Sequence, residues 1–160
     1  MDPGLRVTGW GVVVLDGAQP GFVASGAIRT NGRWRVEQRL HPIFRELCAV
    51  IERWRPAEVA VEDTFVAENV RSALAIGEAR AVALLAAAQA GLRVQPYAPA
   101  EVKQTVAGNG RSGKAQVQEL VRLQLGLETA PQPADASDAL AVALCHHLRQ
   151  RAKARLEQAR

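Results

Sequence analysis

Apolar and polar positions in the first third of the chain change from a strand pattern to a helix pattern. Residues 7–15 form a valine-rich apolar run, and residues 22–28 alternate loosely after a turn, which predicts a β-hairpin. Residues 33–36 are expected to extend this strand region. From residue 41 to 54 apolar side chains recur at helical spacing, so we predict an amphipathic helix that ends before Pro56.

The remainder of the chain alternates short apolar runs with longer helical patterns. The predicted strands are residues 59–62 and 93–97, and the predicted helices are residues 69–90, 99–107, 114–125 and 134–151. Strands followed by alternating strands and helices are typical of an α/β layer with a mixed sheet. We find no internal repeat and no linker, and 160 residues fit one domain.

Composition restricts the class of protein only a little further. The apolar share of 48% is ordinary, and no run approaches the length of a membrane span, so we expect a soluble cytoplasmic protein. Cys48 and Cys145 stand alone within apolar helical patterns, which predicts buried free thiols. The formal charge of +4 favours a polyanionic partner weakly. Residues 149–160 hold five basic residues and one acid. We interpret them as a solvated helical tail in preference to a phosphate-contacting arm.

Several acidic residues stand at positions where an unpaired charge would be unfavourable. Asp135 and Asp138 are three residues apart at the start of the last predicted helix, so they share one face. The helix dipole alone would favour acids there. However, residues 139–144 are nearly all apolar, so the helix is expected to be buried, and buried acids need partners or a metal ion.

Two further acids stand at strand ends. Asp2 precedes a Pro-Gly turn, and Glu62 and Asp63 follow an apolar run. Because strand side chains alternate between faces, either Glu62 or Asp63 points inward, but not both. Together with the helical pair, such acids suit hard divalent cations, and two ions can clamp the attacking and leaving oxygens of a phosphodiester. The three histidines are expected to have packing or structural roles.

Four ordered motifs carry a resemblance to a known family: residues 2–11 (DPGLRVTGWG), 61–65 (VEDTF), 102–106 (VKQTV) and 134–141 (ADASDALA). In this order the chain resembles the RuvC family of bacterial Holliday junction resolvases, which has a ribonuclease H-like fold. The resemblance runs from Asp2 to about His147. It implies a central mixed five-stranded sheet flanked by helices, with a nuclease domain at residues 1–148 and a basic tail at residues 149–160.

The resemblance also implies an activity and a set of site residues. It implies a homodimeric endonuclease that makes paired symmetric nicks in four-way DNA junctions and works with a RuvA–RuvB branch-migration complex. Two Mg²⁺ ions per subunit, replaceable by Mn²⁺, are implied. The metal-binding catalytic positions fall on Asp2, Glu62, Asp135 and Asp138. The implied DNA-binding positions fall on Phe65, which would stack on an unpaired base, and on Lys103, Arg111 and Lys114.

Two further points of the resemblance concern the dimer interface and the segment ahead of Asp2. The resemblance points to the helix at residues 69–90 for the dimer interface, with Ala73, Gly77, Ala81 and Leu84 along one stripe. The family pattern has an apolar strand ahead of the first aspartate, and here only Met1 precedes Asp2. We therefore expect that the natural chain begins upstream, or that the chain as written is impaired.

Two other classes stay open on the sequence. A sugar-kinase or actin-type ATPase also begins with a D-x-G turn, but it would need phosphate loops and an adenosine pocket that the sequence does not show. A non-catalytic junction-binding module would not need four acids.

Overall fold

The structure of the protein is a computed structural model that describes residues 1–16, 19–63 and 69–158, without the side chains of Leu15 and Asp16. In chain order its elements are β1 (Val7–Asp16), β2 (Gln19–Arg29), α1 (Val36–Trp54), β3 (Glu58–Glu62), α2 (Val70–Gln89), β4 (Arg93–Tyr97), α3 (Pro99–Ala107), α4 (Lys114–Gln124) and α5 (Ala134–Gln158).

The four strands form two separate pairs within the described residues. β1 and β2 are antiparallel, with Val7 opposite Arg29 and a bulge between Val12 and Val13. β3 and β4 are parallel, with Glu62 opposite Tyr97. The fold is therefore α/β with both strand directions, whereas the expected five-stranded sheet is not confirmed, since the structure has two sheets of two strands.

Residues Met1 and Asp2 lie between the two pairs. Asp2 and Gly9 exchange backbone hydrogen bonds of 3.0 and 2.9 Å, as in an antiparallel pair. On the other side the amino group of Met1 donates to Ala60 O (2.7 Å) and Glu62 N donates to Met1 O (2.9 Å), as in a parallel pair. Two residues thus join β1 to β3 at one end of both strands.

Helices cover both faces of the strands. α1 and α2 enclose one core together with Met1 and the side chains of β3 that alternate to that face, Val59 and Val61. On the other face α3, α4 and α5 pack over Ala60 and Tyr97. The two cores explain the apolar periodicity of the helices, because each helix turns one apolar side towards the strands.

Several predicted boundaries need correction. Residues 33–36 do not extend the strand region, because α1 begins at Val36, before the predicted start at His41. Gln38 Oε1 accepts a hydrogen bond from Arg35 N (3.0 Å) and so helps to start the helix early. α5 continues to Gln158, beyond the predicted end at Arg151.

The other predicted helices and strands are close to those found. α3 has the predicted bounds, and its first residue is a proline, as favoured at a helix start. Cys145 is buried, Cys48 is half-buried, and both thiols are free. Over the described ranges, none of the helices is both long and apolar enough to cross a membrane.

Candidate active site

Two neighbouring acids at the end of β3 point in different directions. Glu62, the last residue of the strand, lines a cleft beside α3, α4 and α5. Asp63 turns the other way, and its Oδ1 lies 3.0 Å from Nε of Arg80 on α2. Strand alternation thus separates the two carboxylates as expected, and Glu62 is the one in the cleft.

Asp2 is held next to Glu62 by the short segment between the strands. Its backbone pairs with Gly9, and the turn that follows is closed by the buried hydroxyl of Thr8, which donates to Gly4 O (2.8 Å). Because Glu62 N is bonded to the residue before Asp2, the two acids are neighbours across paired strands. Their carboxyl groups also share a hydrogen bond.

The first turn of α5 brings Asp138 to the cleft and packs the backbone of Asp135 against β1. α5 crosses β1 so closely that a Cβ at Gly9 would lie 2.0 Å from the carbonyl oxygen of Asp135. Only glycine leaves room for this approach. Gly9 pairs with Asp2, so the close packing holds the backbone of Asp135 against the strand that positions Asp2, and Asp138, one turn later, lines the cleft with Glu62.

The cleft has a volume of about 220 Å³, and two lysines line it besides Glu62 and Asp138. Lys103 of α3 and Lys114, the first residue of α4, both line it together with Glu62 and Asp138. Nζ of Lys114 lies 2.5 Å from Oδ2 of Asp138. Two of the chain's three lysines therefore lie beside acids predicted from the sequence to be catalytic.

Burial and crowding of like charges change the pKa values in this cleft. Burial, reinforced by the hydrogen bond and the charge of Asp2 and by the charge of Asp138, raises the pKa of Glu62 to about 8. Burial also raises the pKa of Asp138, against the opposing effect of Lys114. The hydrogen bond to Asp138 raises the pKa of Lys114. The site therefore concentrates more negative charge than the protein alone compensates.

The amino group of Met1 adds a titratable group to the same neighbourhood. Burial lowers its pKa to about 6, while the charges of Asp2 and Glu62 oppose that effect. Its hydrogen bond to Ala60 O keeps it on the strand edge, outside the set of residues that line the cleft.

The remaining predicted site residues have different locations. Arg111 is exposed on the loop between α3 and α4, where its backbone N donates to Asn109 Oδ1 (2.9 Å). Phe65 lies outside the described residues, so its predicted stacking role stays a prediction. His147 is buried, consistent with a packing role, and His146 is hydrogen-bonded to Tyr97 and Glu58.

Comparison with known proteins places these residues in a family. Residues 1–146 match the model of the family described as crossover junction endodeoxyribonuclease RuvC. The chain belongs to the RuvC family. It is 51% identical over 146 residues to a crossover junction endodeoxyribonuclease RuvC from Chloroflexus aggregans, which covers 91% of this chain and 89% of that relative. A RuvC of Heliobacterium modesticaldum is 48% identical over 145 residues, 91% of this chain and 90% of the relative.

Solved RuvC structures have the same fold. A Thermus thermophilus RuvC in complex with a Holliday junction substrate matches with a TM-score of 0.89 and 37% identity, over 95% of this chain and 93% of that one. Another Thermus thermophilus RuvC structure gives a TM-score of 0.87 at 35% identity, with the same coverage. The predicted ribonuclease H-like family is confirmed, and the sugar-kinase and actin alternative is set aside.

RuvC nucleases use divalent metal ions, and the side chains at this site suit such an ion in chemistry. Carboxylate oxygens are the ligands that Mg²⁺ prefers. Burial raises the pKa of Glu62, and the hydrogen bond and charge of Asp2 and the charge of Asp138 add to that effect, so these acids lie close enough to interact. Even so, among residues 1–16, 19–63 and 69–158 no three His, Cys, Asp or Glu side chains are arranged so that they could hold a metal ion as they stand. The donor set fits, and binding would draw the carboxylates closer.

The sequence reasoning missed a polar chain on the same face. The hydroxyl of Tyr97 lies 2.9 Å from His146 Nδ1, and His146 Nε2 lies 2.9 Å from Glu58 Oε2. Burial raises the pKa of Tyr97 to about 12, so its hydroxyl stays protonated and donates to Nδ1, which leaves Nε2–H to donate to Glu58. These bonds join α5 to β3 and β4. The adjacent His146 and His147 gave no signal of this, because the partners are distant in sequence.

Proposed function

We propose that this chain is a metal-dependent endonuclease that resolves four-way DNA junctions by paired symmetric nicks, leaving 5′-phosphate and 3′-hydroxyl ends. Membership of the RuvC family supports the activity. A solved relative that is 37% identical was determined in complex with a Holliday junction substrate, which supports the choice of DNA.

One observation of the structure carries the assignment to a site. Glu62 and Asp138 line one cleft, and the segment at Asp2 and the first turn of α5, which carries Asp135, lie beside the end of β3. Two lysines face the same cleft. Carboxylates suit divalent metal ions and lysines suit phosphate, and here Glu62, Asp138 and both lysines line one small cleft.

The proposed catalytic and metal-binding residues are Asp2, Glu62, Asp135 and Asp138. They would hold two Mg²⁺ ions per subunit, with Mn²⁺ as a substitute. When bound, such ions supply an activated water and stabilise the departing oxygen. The residues of the chain itself concentrate the negative charge that draws the ions in, and three parts of the fold carry them: the segment at Asp2, the end of β3 and the first turn of α5.

The proposed DNA contacts surround the acids. Lys103 and Lys114 would bind the phosphates next to the scissile bond as point charges. Lys114 now pairs with Asp138, so metal binding at Asp138 would release its ammonium group towards DNA. Arg111 would contact the backbone from its exposed loop, and Phe65 would stack on an unpaired base. Because phosphate contacts release counterions, junction binding should weaken steeply with salt.

Two cuts related by symmetry require two sites, so the proposal includes a homodimer. Three large apolar side chains of α2 are exposed: Val70 (86%), Leu74 (62%) and Leu85 (58%). With Gly77 and Ala81 they recur at intervals of three or four residues, so they form one continuous stripe. The stripe predicted from sequence shares Gly77 and Ala81 with it.

The dimer is tested by sedimentation velocity of the Leu85→Lys variant. A charge in an apolar interface should shift the protein to monomers. Leu123→Lys is the matched control, since Leu123 on α4 is 56% exposed and off the stripe. Equal association of both variants would exclude α2 as the interface.

Further parts of the proposal concern the setting of the enzyme. They are a cytoplasmic location and docking with a RuvA–RuvB branch-migration complex. The proposed division into a nuclease domain at residues 1–148 and a basic tail at residues 149–160 falls inside α5, which runs without a break to Gln158. The tail is thus the exposed end of a helix.

The activity is tested with an end-labelled synthetic four-way junction and Mg²⁺. Glu62→Gln should bind the junction but cut it at least about 10³-fold more slowly, because it removes a metal-binding carboxylate. Asp63→Asn is the matched control, since the adjacent acid faces Arg80 and should leave cutting nearly unchanged. Binding without cutting by the unaltered chain would favour a junction-binding module instead.

A further inference from the structure

Arginine is concentrated in one short stretch of the chain, residues 29–39, which holds four arginines and a single acid, Glu37. Arg6 is adjacent to this stretch in the fold, because its carbonyl oxygen accepts a hydrogen bond from Thr30 N (3.1 Å). The five arginines and Glu37 together carry a formal charge of +4, which is the formal charge of the whole protein. Acids and bases balance over the rest of the chain, so the excess positive charge is confined to this place.

A large aromatic side chain lies among these arginines. Trp34 stands between Arg33 and Arg35 in the loop that follows β2, and it is 47% exposed. Exposure of an indole to water is unfavourable, and tryptophan and arginine are the residues enriched where a partner binds. We call this surface the arginine patch, and its members are Arg6, Arg29, Arg33, Trp34, Arg35 and Arg39.

Most of the charge in the arginine patch is uncompensated. Over the residues that the structure describes, Arg35 is the one arginine of the patch with an ion-pair partner, since its Nε lies 3.1 Å from Oε1 of Glu37. Arg6, Arg29 and Arg33 are exposed. Like charges at short range repel each other, and a bound polyanion relieves that repulsion.

Thr30 holds the patch against the turn that follows Asp2. The hydroxyl of this buried threonine donates to Leu5 O (2.6 Å) and accepts a hydrogen bond from Arg39 Nε (3.0 Å). One side chain thus fixes the loop, the first turn of α1 and the turn after Asp2 to each other. Within the described residues Nη1 and Nη2 of Arg39 make no further hydrogen bond, so they can bind a phosphate.

The patch lies at the same end of the strands as the acidic cleft. Arg29 pairs with Val7 at the start of β1, and Asp2 pairs with Gly9 two residues further along that strand. Four residues of chain lead from Asp2 to Arg6, so their Cα atoms are at most about 14 Å apart. DNA rises about 3.4 Å per nucleotide of one strand, so a strand cut at the cleft passes the patch within about four nucleotides of the cut.

We propose that the arginine patch is a second DNA-binding surface, which holds the phosphates of one duplex arm of the junction next to the cut. The arginines bind successive phosphates, and the ring of Trp34 packs on the deoxyribose between them. The inference rests on the proposed function, since the DNA is the one that is cut at the cleft. It extends that function, because Phe65, Lys103, Arg111 and Lys114 all lie outside the patch.

The test measures the binding of a labelled four-way junction in EDTA, at several salt concentrations, by fluorescence anisotropy. Arg33→Gln combined with Arg35→Gln should weaken binding at least about tenfold at low salt. It should also reduce the slope of log K against log salt by about 1.8, because each phosphate contact contributes about 0.9 to that slope. Arg53→Gln combined with Arg93→Gln is the control with the same change of charge, since Arg53 is in the last turn of α1 and Arg93 is opposite Glu58, away from the cleft. The control should change the slope by less than about 0.5.

Trp34→Ala separates the aromatic contact from the charge. It should weaken binding at least about threefold and leave the salt slope unchanged, because an apolar contact releases no counterions. With Mg²⁺ and saturating protein, the patch variants should cut as fast as the unaltered chain, since the patch does not touch the reacting atoms. The altered side chains are exposed, so the unfolding midpoint should stay within about 2 °C.

The possible outcomes distinguish the patch from the proposed function. Equal binding and equal salt slopes in the patch and control double variants would overturn the patch proposal, and would assign these arginines to another partner, such as an acidic protein surface. Because binding is measured without Mg²⁺, junction binding without cleavage by the unaltered chain would contradict the proposed function alone. No binding of the junction by the unaltered chain would overturn both.

Discussion

The two ends of β3 differ sharply although the strand is only five residues long. At the Glu62 end the backbone is paired on both sides, by Met1 and by β4, and acids and lysines meet in a small polar cleft. At the Glu58 end the backbone is paired only with β4 within the part of the chain that the structure describes, and it faces a larger, mainly apolar groove about 750 Å³ in volume. Glu62 is thus held where the backbone of its strand is hydrogen-bonded on both sides.

We expect this difference to separate, along one strand, the residues that act in cleavage from those that stabilise the fold. Changes at the Glu62 end should alter cleavage more than folding, because the crowded acids repel each other and contribute little stability. Changes at the Glu58 end should alter folding more than cleavage. The predictions below test that separation.

Metal removal should have the largest effect, and only at the Glu62 end. In EDTA the protein should still bind a four-way junction but cut it at least about 10³-fold more slowly, since the hydrolysis depends on bound ions. Adding Mg²⁺ should restore cutting and raise the thermal unfolding midpoint, because an ion that binds only the folded state stabilises it.

The unfolding measurement supplies a control that is independent of activity. Asp63→Asn should keep the Mg²⁺-dependent rise in midpoint, and Glu62→Gln should lose most of it. A rise of equal size in both variants would place the ion elsewhere.

Gly9→Ala should affect both ends together, because Gly9 is where α5 rests on β1. The new Cβ would lie 2.0 Å from the carbonyl oxygen of Asp135, so α5 must shift. We expect a loss of at least about 2 kcal/mol in urea unfolding and a loss of cleavage as Asp135 moves. Gly32→Ala, with no atom within 4 Å, should change stability by less than about 0.5 kcal/mol. A stable and active Gly9→Ala variant would show that this close packing does not position the acids.

The acidic cleft could be predicted from sequence to a large extent. Asp135 and Asp138 were visible because a three-residue spacing sets two acids on one helical face. Glu62 and Asp63 could not be separated by alternation alone, and the ion pair of Asp63 with Arg80 identifies the one outside the cleft. Periodicity is local, whereas the choice between two adjacent acids depends on a partner on another helix.

The groove and the sheet were much less predictable. The five-stranded expectation rested on the family pattern, and nothing local in the sequence indicates that β1 and β3 lie apart beyond Met1. α1 begins at Val36 because Gln38 accepts a bond from Arg35 N, and residues 33–36 alone resembled more strand. Long-range pairing leaves little trace in short apolar runs.

A change of pH should have a smaller effect, which is on the stability of the metal-free protein and whose direction the pKa shifts predict. Glu62 has a folded pKa of about 8 against an ordinary 4.5, so the folded state holds an extra proton between these values and its stability falls as pH rises. The Met1 amino group, lowered from 8.0 to about 6, has the opposite sign between pH 6 and 8. The charges of Asp2 and Asp138 also raise the pKa of Glu62, and the Met1 amino group lowers it.

Comparing unfolding midpoints with those of Glu62→Gln in EDTA shows the effect of Glu62 together with its interaction with the Met1 amino group, whose pKa the charge of Glu62 raises. The advantage of the unaltered chain should shrink steadily from pH 4.5 to 8 and level off above. A difference that stays flat or grows over this range would contradict the raised pKa.

Tyr97→Phe should have the smallest effect, and only on stability. It removes the 2.9 Å bond to His146 Nδ1 and leaves the ring in the core, so unfolding should cost about 1 kcal/mol less while the cleavage rate stays within about twofold. Tyr97 is opposite Glu62 in register, yet its hydroxyl serves the polar chain that ends at Glu58. The Tyr97→Phe and His146→Gln double variant should lose less than the sum of the two single losses, because both remove the same bond. A large loss of cleavage in Tyr97→Phe would mean that the two ends of β3 are coupled through this chain, and the separation of chemistry from stability would fail.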